Sequence, residues 1–326
     1  MAAAVVGEAY PMRPDSVSLR IVASHILFVL LPVYLAATSP PTAILFLLYL
    51  WFGITMQGLL NLMHECAHYH VFQRRRGSDV LGQWILGPLM VADFDKYRRL
   101  HWAHHRNLGS DADPKYTYRV EILGWRLPFV LVTCLVGVEA FRKFIYQRGG
   151  DREVAASPSS RQWIVRTCLV HTVFGASLVA VAYGAGAGDI RAATLQGAVA
   201  YGFVYAYGMM SLTVFVATLR AIAEHQDSPD APLAVGEAVL RNLKCGPWGR
   251  LILGCYGFAE HATHHWEPAI PYYHLERATE NLADRDRQFA PRDTYVSVLT
   301  AQVTWARTGA RSSTPRRGPR GDADGR

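Results

Sequence analysis

Residues 43–68 read AILFLLYLWFGITMQGLLNLMHECAH. The first 21 of them carry no Asp, Glu, Lys or Arg, and a run of that length crosses the roughly 30 Å of bilayer hydrocarbon as a helix. The last five place His64, Glu65 and His68 where such a helix would leave the membrane. Three more stretches, 21–37, 167–188 and 192–219, also lack those four residue types, so four spans are predicted. The first is the shortest and encloses His25. Only 18% of the 326 residues are charged and 51% are apolar, against roughly 25% charged in soluble domains. Lipid-facing surface is the simplest cause.

Lys and Arg orient the spans. The link 38–41 has none, and the link between spans three and four has only Arg191. Arg13 and Arg20 precede span one, Arg74, Arg75 and Arg76 follow span two, Arg161 and Arg166 precede span three, and Arg220 follows span four. Both termini and the long central segment are therefore expected on the cytosolic side of a bacterial-type cytoplasmic membrane. The first fifteen residues lack a basic segment running into an apolar core, so no cleaved signal peptide is expected. The apolar runs 80–92, 127–138 and 251–259 are too short to span and are expected to lie in the interface or re-enter. Residues 149–160 read as a linker. The segment 307–326 has six Arg and two Asp, more than half of the formal charge of +7. It lacks apolar periodicity and reads as a disordered basic tail after a single domain, 1–306. Beside four spans such a tail suits anionic lipid better than nucleic acid, and no nucleic-acid partner is expected. Cys66, Cys134, Cys168, Cys245 and Cys255 form no C-x-x-C pair, which argues for reduced, buried thiols and against an iron–sulfur or zinc-ribbon site.

Eight of the thirteen histidines fall in three clusters: His64 and His68; His101, His104 and His105; His261, His264 and His265. Residues three and four apart share a helix face, so each cluster can aim its imidazoles one way. Eight neutral nitrogen ligands are too many for one first-row ion, and two metals are the economical count. Spans three and four separate the second cluster from the third, and two crossings return the chain to the same face. Span four would run about 42 Å, longer than the hydrocarbon. Its cytosolic end should protrude and carry Glu224 and His225 to the clusters. His225 is taken as a ninth ligand; an interfacial histidine without metal is the alternative.

HECAH, HWAHH and HATHH resemble the three histidine boxes of membrane fatty-acid desaturases and the related hydroxylases. HWAHHRNLGSDADP is similar to the second box of acyl-lipid and sphingolipid desaturases, HATHHWEPAIPYYHL to the third, and His225 to the lone histidine that precedes it. The likeness covers approximately residues 21–282. Many desaturases have Asp after the first histidine, where this chain has Glu65. The resemblance implies an all-α integral membrane protein with a site for two iron ions. It also implies O2 as co-substrate, two electrons from an external ferredoxin-like donor, and an apolar acyl chain as substrate. Desaturation is the leading reading; hydroxylation, or desaturation of a smaller metabolite, would use the same ligands.

H-E-x-x-H alone is also a zinc-protease signature, but one zinc would leave six box histidines without a role. A metal carrier would place ligands along a path through the membrane, whereas these gather at one face. Glu65, Asp95, Asp111, Asp113, Glu224 and Glu260 could accept hydrogen bonds from ligand imidazoles or be ordinary loop carboxylates. Tyr201, Tyr205, Met209 and Leu212 recur at helical spacing and could line a substrate channel or pack in the core. His70 is expected to be exposed, His25 and His274 to be structural, and His171 to serve either packing or a cavity. Arg74 to Arg76, Arg98, Arg99, Lys143 and Arg241 would suit an acidic electron carrier, though orientation alone accounts for them.

Overall fold

A computed structural model describes residues 10–108, 113–114, 126–142, 159–225, 233–235 and 238–308. Among them, four helices are long and apolar enough to cross a membrane: α1 (Asp15–Ala36), α2 (Thr42–Ala67), α6 (Ser159–Gly184) and α7 (Ile190–His225). Each overlaps a predicted span and begins before it; α2 and α7 also run past its end, while α1 and α6 stop short of it, because absence of charge marks the hydrocarbon while hydrogen bonding marks the helix. The protein is thus a mostly helical integral membrane protein.

The remaining helices pack against these four, some as far in as the middle of α6 and α7. The run 80–92 falls within α3 (Arg75–Leu81), a π turn over Gly82–Leu86 and a short turn Gly87–Leu89. Then follow α4 (Phe94–Asn107) and α5 (Arg126–Leu135). After α7 come α8 (Pro247–Ile252), a 3-10 turn Cys255–Glu260, α9 (His261–Trp266), α10 (Leu275–Arg285) and α11 (Tyr295–Thr308). Two strand pairs were not expected: β1 (Leu233–Val235) runs antiparallel to β2 (Ala238–Leu240), and β3 (Leu243–Lys244) parallel to β4 (Asp293–Thr294). Helix α11 continues into the segment expected as tail; residues 309–326 lie outside the described ones, as does most of the expected linker 149–160.

Small residues and interhelical hydrogen bonds hold the spans together, as they must where lipid is as apolar as the core. A Cβ on Gly53 of α2 would lie 2.6 Å from Leu212 Cβ, and one on Gly208 of α7 would lie 2.8 Å from Phe52 Cδ1. Thr213 donates to the Gly53 carbonyl at 3.0 Å, and the Tyr49 and Ser211 hydroxyls are 2.8 Å apart. Helix α7 also changes pitch, with π turns over Ala200–Tyr207 and Met209–Thr213 before it resumes as α-helix to His225. At about 1.5 Å per residue its 36 residues exceed the bilayer core by far, so its last turns protrude.

His171, mid-helix in α6, anchors the segment that leads into the second box. Its Nε2–H donates to the Pro88 carbonyl at 3.0 Å, which leaves Nδ1 to accept from the Tyr201 hydroxyl, also at 3.0 Å. Tyr205 donates to the next carbonyl, that of Leu89. These spans thus satisfy carbonyls at the end of the α3 segment, groups that hydrocarbon could not. Tyr205 and Leu212 are buried in the core, and Tyr201 and Met209 pack against it.

Candidate metal centre

The first box occupies the last turn of α2. There the chain ends its helix with Tyr69 in the left-handed region (φ 63°) and the His70 N–H bonded back to the Glu65 carbonyl at 3.0 Å, a closure more usual with glycine. This turn brings His70 back under the box: it is buried, not exposed as expected, with Nδ1 3.3 Å from Glu65 Oε2 and its ring stacked on His68. The second box sits on α4, whose first turn is capped by Asp93 accepting from the Lys96 N–H at 3.0 Å. The third box forms α9. His225 ends α7.

All nine histidines converge, but the boxes do not map one to one onto the clusters. His64, His68, His101, His105 and His264 offer ligand nitrogens that lie within 4.8 Å of one another. His104, His225 and His265 form a second group by the same measure, and His225 also groups with His261 and Glu224. The second box is divided because His101 and His105 are one turn apart while His104 points to the neighbouring stripe of α4. The third is divided likewise, His264 on one side, His261 and His265 on the other.

Close approaches within the groups bear on what they could hold. His68 Nε2 is 2.7 Å and His105 Nε2 3.0 Å from His101 Nε2, and His225 Nε2 is 2.8 Å from His261 Nε2. A first-row metal–imidazole bond of about 2.1 Å puts neighbouring nitrogens of an octahedral ion ~3.0 Å apart. These spacings suit imidazoles that share an ion, five in the first group and three in the second, with His261 and Glu224 joined to the second through His225. Burial, then the neighbouring imidazoles, push His265 well below the ordinary histidine value, which keeps it in the neutral form that ligation requires.

Carboxylates orient two of these rings. The His64 Nδ1–H donates to Glu65 Oε1 at 2.7 Å, and the His104 Nδ1–H to both oxygens of Asp113 at 2.9 Å. In each case Nε2 is left facing its group. Glu224, also buried, lies 3.9 Å from His261 Nε2, accepts from the Tyr295 hydroxyl at 3.3 Å and pairs with Arg220 at 3.5 Å. Divalent ions would balance these buried negative charges.

Two expected carboxylates lie elsewhere. Asp95 accepts from Gln83 Nε2 at 2.9 Å instead of touching an imidazole, since six residues before His101 is roughly 240° around the helix. Glu260 is drawn to Arg250 at 2.9 Å; burial raises its pKa and the arginine opposes the rise. Asp111 lies outside the described residues. Arg241 cannot serve a carrier at the surface: it is 1% exposed and donates to the Ala223 carbonyl at 3.1 Å. Burial lowers its pKa to about 10, with Asp293 opposing, and it remains a cation at neutral pH. Arg98 is committed to Asp79 at 2.6 Å. Arg74, Arg75, Arg76 and Arg99 are exposed. Lys143 lies outside the described residues.

Beside His64, His261 and His264 the seam lined by Tyr256, Phe258 and Leu275 has no room for a water-sized sphere. Such a dry setting strengthens electrostatic interactions and suits chemistry that water would quench. No curated protein matches the chain. Residues 40–297 match the fatty acid desaturase family and take in all nine converging histidines, so the chain belongs to that family as a membrane-embedded, metal-binding oxidoreductase.

Proposed function

We propose that the protein is an O2-dependent di-iron oxidase that introduces a C=C bond into a fatty-acyl chain, drawing two electrons from an external ferredoxin-like donor. The observation that carries this reading is the gathering of nine imidazoles into one group of five and, beside it, two smaller groups that share His225. His64, His68, His101, His105 and His264 would hold one iron, and His104, His225, His261 and His265 the other. Bound there, the iron pair would supply O2 reduction and hydrogen removal from an unactivated carbon, work beyond acid–base side chains at neutral pH. Glu65 and Asp113 fix the tautomers of His64 and His104, so both rings present Nε2 without reorganisation. The packing of Phe258, Tyr256 and Leu275 excludes water.

The arginines that flank the spans support a cytosolic position for the site and both termini. The exposed Arg74, Arg75, Arg76 and Arg99 supply positive charge for an acidic electron carrier. Apolar side chains exposed on the spans, such as Leu27, Leu47, Val165 and Leu195, support a lipid setting in which an acyl substrate is at hand. Lipid profiling of cells with and without the gene tests the reaction. A product two hydrogens lighter than its precursor is expected. A product heavier by one oxygen, with no alkene formed, would replace desaturation by hydroxylation.

A further inference from the structure

Just ahead of the third box the chain takes two consecutive left-handed residues, Tyr256 (φ 57°, ψ 45°) and Gly257 (φ 72°, ψ 11°). Glycine suits the second on two counts. It tolerates the dihedrals, and a Cβ there would lie 2.6 Å from Leu275 Cδ1 and 3.0 Å from the Tyr272 carbonyl oxygen. Tyrosine has no such ease in this region, so the surrounding structure must hold it there.

Both of the first two spans do so. From α1, His25 Nδ1 and the Tyr256 hydroxyl share a hydrogen bond of 2.6 Å, and the two rings stack at 5.4 Å and 26°. From α2, Asn61 Nδ2 donates to the Cys255 carbonyl at 2.9 Å, while Gln57 Nε2 donates to Asn61 Oδ1 at 2.8 Å. Gly58 makes the space, since a Cβ there would sit 2.4 Å from His25 Cε1. Gln57, Asn61, His64 and His68 are spaced four, three and four apart, so one stripe of α2 holds both the turn and the first-box ligands. The turn leads straight to the ligands. Phe258, two residues after Tyr256, has its ring 4.7 Å from that of His64 and 5.5 Å from that of His261.

We propose that His25 and Tyr256 are positioning residues for the metal centre: their hydrogen bond latches the left-handed turn to α1 and so sets where His261, His264 and His265 stand relative to His64 and His68. The latch rests on the metal-binding reading above. An ionisable side chain on a membrane helix is costly and usually functional, and this gives His25 a role that its isolation in the sequence concealed.

The test uses the full chain in detergent, loaded with ferrous iron, and follows iron release to a bipyridine chelator together with the melting midpoint of the metal-free protein. Tyr256→Phe and His25→Leu should each release iron about tenfold faster or more, the scale on which partners of metal ligands act. The metal-free midpoint should fall only modestly, as the loss of one hydrogen bond requires. The double variant should be no faster than either single one, because both remove the same bond. Release at the wild-type rate from Tyr256→Phe would overturn the latch. So would a large fall in the metal-free midpoint with unchanged release, or multiplied effects in the double variant. Should His25→Leu fail to fold, Tyr256→Phe decides alone, since it removes a single oxygen. Failure of the wild-type chain to take up iron would instead overturn the metal-binding reading on which the latch depends.

Discussion

An imidazole that binds a metal through Nε2 is held in place by what its Nδ1 touches, and for His64 and His104 that partner is a buried carboxylate. Asp113→Asn keeps the shape of the side chain but removes the charge. It should weaken metal binding by about 10- to 100-fold, measured by competition with a chelator; unchanged affinity would make Asp113 a bystander. His225→Ala removes the imidazole that the two smaller groups share. Iron content should fall from about two per chain toward one, with activity lost in step, and retention of both would remove His225 from the ligand set. The eight box histidines were legible from their spacing and His225 from the length of span four, whereas the division of the second and third boxes between groups was not. Asp95 and Glu260 were not separable from Glu65 and Asp113 by spacing, because competing partners, Gln83 and Arg250, decide where each carboxylate points. His70 was misread because the reversal that buries it is made by Tyr69 at φ 63°, with no glycine or asparagine to announce it.

Whole elements followed the charge pattern more closely than their ends did. Four charge-free runs gave four membrane helices, and the extra length of the last carried His225 past the bilayer. The π turns within α7 had no counterpart in the sequence reading, because apolar residues surround them on both sides and no proline marks the change. The left-handed residue at Val91 was hidden for the same reason as that at Tyr69. The close approach of α2 and α7 depends on Gly53 and Gly208. Gly208→Leu should overpack this contact and destabilise the fold by about 1–3 kcal/mol, read as a lower melting midpoint in detergent; an unchanged midpoint would mean that the helices can part without cost. His171→Phe leaves the Pro88 carbonyl without its donor, at a cost of about 1–3 kcal/mol. Local hydrogen exchange should rise in the α3 segment more than in α1, whereas uniform exchange would argue against a specific anchor.

At the scale of the molecule, the fold solves one problem: ligands far apart in sequence must meet at one membrane face. Two crossings between the second and third boxes return the chain to that face, and helix α7 extends beyond the lipid to add His225. The same end carries the exposed Arg74, Arg75 and Arg76. Replacing all three with Glu should slow turnover supported by an acidic ferredoxin about tenfold at low ionic strength. Turnover driven by a small chemical reductant should be unaffected, and equal losses with both would point to a damaged site. The ion count tests the proposed assignment of nine imidazoles to two irons most directly. Elemental analysis of the purified chain should find about two irons per chain, and one zinc with no iron would contradict the assignment.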